Sequence, residues 1–107
     1  MPDIIQQRAL RTWHRELSPD MQRLHLVLGL VGESGEVAEH YKKALFKPGH
    51  ESTRAQRLDE LGDVLYYVAI LAHLDDCTIE QLSQMNAAKL ADGHGWLPDY
   101  VREGALR

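Results

Sequence analysis

The chain has 107 residues and 44% hydrophobic content, enough for one domain with a modest core. With 16 acidic against 12 basic residues the net charge is -4, which gives no support to duplex nucleic-acid binding, usually marked by a basic patch, and leaves single nucleotides open. Cys77, the single cysteine, excludes an internal disulfide. The longest apolar run, Val64 to Ala72, is far short of the roughly 20 residues that span a bilayer, and MPDIIQQRAL lacks the basic stretch and apolar core of a signal peptide. A cytoplasmic protein without membrane partners is expected.

In chain order the segments read as helices, because apolar residues recur at three and four and strand-like alternation is absent. Pro2 or Asp3 opens the first, with Ile5, Leu10, Trp13 and Leu17 on its apolar side. Ser18 and Pro19 form a cap and first-turn pair for a long second helix reaching Phe46, where Lys47, Pro48 and Gly49 end it. Thr53 with Gln56, and later Thr78 with Gln81, have capping-box spacing. They open a third helix to about Leu74 and a fourth to about Asp92, stopped by Gly93. The tail from residue 93 to 107, including Trp96, has no clear period. The expected fold is all-α, a bundle of four to five helices in a single domain over residues 1–107.

The third helix is apolar nearly all round, since Ala69 and Ile70 join Val64, Leu65, Val68 and Leu71. Such a helix belongs inside a bundle, and one short chain has little to surround it. A second copy is therefore expected to complete the core, over a face including Leu65, Ala69 and Ala72.

Two carboxylate pairs border this apolar material. On the second helix Glu33 and Glu36 lie about 60° apart, with His40 and Lys43 on the same stripe. On the third, Glu60 and Asp63 are spaced alike, with Tyr67 between them in phase. Like charges at helical spacing repel, and of the two helices only Lys43 offers a cation in phase. A bound cation is inferred. Four carboxylates with no cysteine and no Glu-x-x-His spacing form a hard oxygen set suited to Mg²⁺ or Mn²⁺, and Mg²⁺ commonly brings a phosphate-bearing ligand. His14, His25, His50, His73 and His94 show no metal-ligand spacing. Glu39 is expected to pair with Lys43, His40 to support the acids from behind, and Arg54 and Arg57 to lie on a solvated face.

The ordered combination GLVGESGEVAEHYKK, DELGDVLYYVAILA and MNAAKL, over residues 29 to 90, resembles the MazG-like branch of the all-α nucleoside triphosphate pyrophosphohydrolases. The signature is Glu-x-x-Glu followed by Glu-x-x-Asp, here Glu33 with Glu36 and Glu60 with Asp63. The resemblance implies Mg²⁺-dependent cleavage of a nucleoside triphosphate to the monophosphate and pyrophosphate, in a homodimer or higher oligomer serving nucleotide-pool house-cleaning. By position it implies Glu33, Glu36, Glu60 and Asp63 as metal ligands, and Lys43, Tyr67, Asn86 and Lys89 at the nucleotide. Trp13 is a candidate to stack the base, and Lys43 to offset charge on the departing pyrophosphate. Gly32 stands where some relatives carry an extra acid, so Glu36 and a metal-activated water are the two candidates for the general base. The alternatives are phosphoribosyl-ATP pyrophosphohydrolase and a non-catalytic helical regulator binding nucleotide or metal.

Overall fold

The structure is a computed structural model that describes residues 1–47, 49 and 52–91. Four helices follow in order: α1 (Ile4–Leu10), α2 (Pro19–Phe46), α3 (Arg54–Leu74) and α4 (Ile79–Ala91). The all-α expectation is met, and among the described residues there is no strand. The expectations for Pro48, His50, Gly93, His94, Trp96 and the rest of the tail lie outside the described residues.

Each start is set by a side chain that takes up otherwise orphaned helix amides. Ser18 accepts the Met21 amide (3.3 Å) with Pro19 in the first turn, and Thr53 and Gln56 exchange hydrogen bonds of 3.1 and 2.8 Å. Thr78 and Gln81 do the same at 3.0 and 2.9 Å. The first helix is shorter than its pattern suggested. It stops at Leu10, with Arg11 and Thr12 folding back onto the carbonyls of Arg8 and Ala9, so Trp13 and Leu17 lie in the connection to α2. At its far end α3 turns through Asp76 in the left-handed region (φ 57°), and Cys77 N–H reaches back to the Ala72 carbonyl at 2.9 Å. Arg23 of α2 donates to the Leu74 carbonyl (3.0 Å), placing a cation at the C-terminus of α3.

The core sits where α1 and the first half of α2 pack on the second half of α3. Leu26, Ala69 and Ile70 are fully buried there, with Ala9 and Trp13 nearly so. Gln6 is fully buried among them and donates to the carbonyls of Ala69 (3.1 Å) and Cys77 (2.7 Å). Ala69 thus belongs to the chain's own core, and the expectation that it faces a second copy is corrected: the small side chain lets α1 approach.

Elsewhere apolar groups stay in water. Leu61 and Leu65 of α3 remain 44% and 45% exposed. On α2, Leu24, Val27, Leu28 and Val31 form an exposed stripe on the side roughly opposite Glu33. Helix α4 has no buried residue, and its Leu82 and Met85 are exposed.

Candidate active site

Helices α2 and α3 run close together because Gly29 faces Tyr67. A β-carbon at Gly29 would overlap the Tyr67 ring, so only glycine permits this approach. One turn further along α2 stands Glu33, and one turn earlier on α3 stands Asp63. The close approach therefore delivers acids from both helices to one place. Glu33, Glu60 and Asp63 each present a carboxylate oxygen, all within 4.8 Å of one another. Glu33 and Glu60 are half-buried and Asp63 is exposed at the rim.

Three carboxylates so close disturb one another. Glu33 is held above its ordinary value, first by sharing a hydrogen bond with Glu60, then by burial and the charges of Asp63, Glu60 and Glu36. Burial raises Asp63, helped by Asp59 and Glu60. Tyr67 is also raised, by burial first and then by Glu33, Tyr66 and Asp63, so its hydroxyl stays protonated at neutral pH and can donate. Glu60 Oε1 lies 3.5 Å from His40 Nε2, while its other oxygen, Oε2, is buried and has no hydrogen-bond partner when the acids are ionised; within the cluster only a protonated Glu33 shares a hydrogen bond with this carboxylate. A buried carboxylate oxygen without a partner is costly unless a proton or a cation meets it. The donor set is all oxygen, drawn from two rigid helices, and fits a divalent cation of the Mg²⁺ or Mn²⁺ type.

The remaining residues fall into three groups. Glu36 is exposed one turn beyond Glu33 and outside the three-acid convergence, near enough to raise Glu33. Lys43 lies exposed two turns farther along α2, and Glu39 pairs with Lys42 at 3.6 Å in place of the expected Lys43. Asn86 lines a groove with Leu65, Val68 and Leu82, and Lys89 is exposed on the same helix. Trp13 is packed in the core: Nε1–H donates to Gln22 (2.8 Å) and the ring lies tilted against His25, 5.5 Å between centroids. A base stacking on Trp13 would have to displace that packing, and His25 precedes Glu33 by about 12 Å of helix.

Two features escaped the sequence. Arg57, expected on a solvated face, donates to the Ser52 carbonyl (2.6 Å) and stacks over Tyr41 at 5.6 Å, while Ser52 Oγ donates to the His40 carbonyl (3.3 Å). The loop before α3 is thereby tied to the turn of α2 that carries His40, which fixes the partner of Glu60. Asp59 is the second, adding a charge beside Asp63. Its i, i+4 spacing to Asp63 was the available signal.

Comparison with known proteins gives the family. The "Gene 37 protein" of Mycobacterium phage L5 is 42% identical over 69 residues, covering 62% of this chain and 60% of that protein. The chain thus spans less than two thirds of that curated relative, whose name states no activity. No solved structure matches. The MazG nucleotide pyrophosphohydrolase domain matches residues 22–97, which takes in most of α2, all of α3 and α4 and the acid cluster, and this chain belongs to that family.

Proposed function

We propose that the chain hydrolyses a nucleoside or deoxynucleoside triphosphate to the monophosphate and pyrophosphate, with Mg²⁺ or Mn²⁺ as cofactor. The observation that carries this reading is the unpartnered, buried Oε2 of Glu60 within a cluster of converging acids. Glu33, Glu60 and Asp63 would hold the cation, with Glu36 on the next turn as the fourth acid. Bound there, the cation supplies charge to offset the triphosphate and lowers the pKa of a water.

The chain's own residues do the rest. Glu36, exposed and outside the convergence, accepts the proton as water adds to phosphorus and the bridging P–O bond to pyrophosphate breaks. Tyr67 donates its hydroxyl proton as a hydrogen bond to a phosphate oxygen. Lys43 and Lys89 balance the departing pyrophosphate, and Asn86 orients the nucleotide from α4. His40 holds the Glu60 carboxylate in place. Trp13 braces the start of α2 through Gln22. The role this activity serves is removal of unwanted nucleotides from the cytoplasmic pool.

A second copy of the chain covers the α2 stripe of Leu24, Val27, Leu28 and Val31. Burying such a stripe gains roughly 25 cal/mol per Å² of apolar area. Replacing Leu28 with Glu should halve the mass seen by light scattering.

The test is a panel of triphosphates scored for pyrophosphate with Mg²⁺ and with chelator. Release that needs the metal and fails in Glu60→Gln supports the reading. Release surviving chelation overturns the metal role, cleavage confined to phosphoribosyl-ATP moves the substrate, and tight binding without release makes the domain non-catalytic.

A further inference from the structure

Helix α1 lies outside the stretch matched by the family, yet it holds α4. Asp3 accepts the Gln6 amide through Oδ1 (3.0 Å), closing α1, and accepts the amides of Ile79 (2.7 Å) and Glu80 (3.2 Å) through Oδ2. One carboxylate caps two helices. All four leading amides of α4 are then satisfied. Thr78 takes Gln81 through its hydroxyl (3.0 Å) and Leu82 through its carbonyl (3.0 Å), leaving Ile79 and Glu80 to Asp3. Since α4 has its own capping box, it does not need Asp3 to be a helix. It needs Asp3 to stay in place, because no α4 residue is buried and packing alone holds it loosely.

We propose that Asp3 is a positioning residue that fixes α4, and with it Asn86 and Lys89, relative to the acids of α3. The proposal rests on the enzymatic reading above for its consequence, but the clamp itself does not. Gln6 completes the brace, its amide joining the Ala69 carbonyl of α3 to the Cys77 carbonyl just before α4. Burial alone would raise the Asp3 carboxyl, yet the backbone amides of Gln6, Glu80, Ile79 and Ile5 outweigh it and hold the group below its ordinary value, as an ionised double cap requires. Leverage makes the clamp matter. Asn86 and Lys89 lie about 10 and 15 Å along α4 from Ile79, so a tilt of about 10° at the clamp displaces Lys89 by about 2.6 Å. Displacements of that size are enough to lose contact with a phosphate.

The test uses Asp3→Ser and Asp3→Asn in the full chain, since a single short acceptor can close α1 but cannot serve both helices. Residue-resolved amide exchange should show Ile79 and Glu80 opening at least about tenfold faster with Gln6 still protected. KM for a triphosphate should rise at least about fivefold as Asn86 is displaced, and kcat per folded molecule should fall as Lys89 leaves the pyrophosphate. Restoring a carboxylate with Asp3→Glu should recover part of the KM. Unchanged exchange at Ile79 and Glu80 overturns the clamp. Faster exchange with unchanged KM overturns the positioning role, as does a loss confined to kcat in proportion to unfolded protein. If the wild-type chain releases no pyrophosphate at all, the enzymatic reading and the positioning role fall together, and exchange still decides the clamp.

Discussion

The C-terminal half of α3 packs Ala69 and Ile70 against Leu26 and gives the Ala69 carbonyl a second partner in Gln6. Two turns earlier, the same helix brings Glu60 and Asp63 up to Glu33 and leaves a buried oxygen of Glu60 unpaired. Both halves face neighbouring helices at close range, and both bury polar atoms. In one half the buried Gln6 amide has protein partners in the Ala69 and Cys77 carbonyls, so the structure gains rigidity from it. In the other, repulsion among acids is retained against the interest of the isolated chain, which is the mark of a place prepared for a ligand.

Substitution should separate the halves most sharply. Glu60→Gln keeps shape and removes one negative charge, so activity should fall at least about a hundredfold while the metal-free protein melts no lower than wild type. Gln6→Leu should do the reverse. It takes the second partner from the Ala69 carbonyl and the Gln6 amide from the Cys77 carbonyl and should cost about 2 kcal/mol in denaturant titration, while activity per folded molecule falls far less than in Glu60→Gln, only as far as the loosened α4 brace carries it. A Glu60→Gln protein that melts lower and retains activity would erase the distinction.

The glycines offer a finer cut. Gly29→Ala forces a methyl group into Tyr67 at the start of the acid end, and should cost about 2 kcal/mol together with most of the activity as α2 and α3 separate. Gly62, on the opposite side of α3, has open space where its β-carbon would go, so Gly62→Ala should add up to about 1 kcal/mol through helix propensity and leave turnover intact. Equal effects from the two changes would mean that the α2 to α3 approach does not set the site.

These halves were not equally visible in the sequence. Helix starts were legible because caps are local: Ser18 with Pro19, Thr53 with Gln56, and Thr78 with Gln81 needed no knowledge of tertiary structure. Asp3, read with Pro2 as the opening of the first helix, has the same spacing to Gln6 and is its cap. The acids were legible because spacing of three places them on one stripe, and a stripe of acids beside apolar residues asks for a cation. What spacing does not contain is the angle at which two helices cross. It therefore could not say that Glu36 stays outside the convergence of Glu33, Glu60 and Asp63, nor that Ala69 turns to α1. The bonds of Gln6 reach 63 and 71 residues along the chain, beyond any periodicity. Trp13 was a stacking candidate as an aromatic ring alone, and the pattern that placed it on the first helix ran about two turns past Leu10.

Acidity should produce the smallest effect, and it should act on the two ends in opposite senses. Glu33 and Asp63 are held above the ordinary carboxylate value of about 4, so each binds its proton more tightly in the folded chain. Their contribution to stability is complete below the ordinary value and is lost as pH rises through the raised one. Asp3 is held below its ordinary value by the amides it caps, so its contribution is complete above about 4 and is lost as pH falls through the lowered value. The metal-free protein should therefore melt at its highest temperature in mild acid, falling towards neutrality as the acid cluster ionises and falling in stronger acid as the α1 to α4 clamp is protonated. Saturating Mg²⁺ should flatten the neutral side alone, because the cation takes over the role of the proton between the carboxylates and does nothing for Asp3. Asp63→Asn should flatten the same limb without metal, and Asp3→Ser should weaken only the acid limb. A metal-free melting temperature that climbs steadily from pH 4.5 to 7.5 would mean that the acids of α2 and α3 do not repel in solution, and the contrast between the two ends of α3 would be lost.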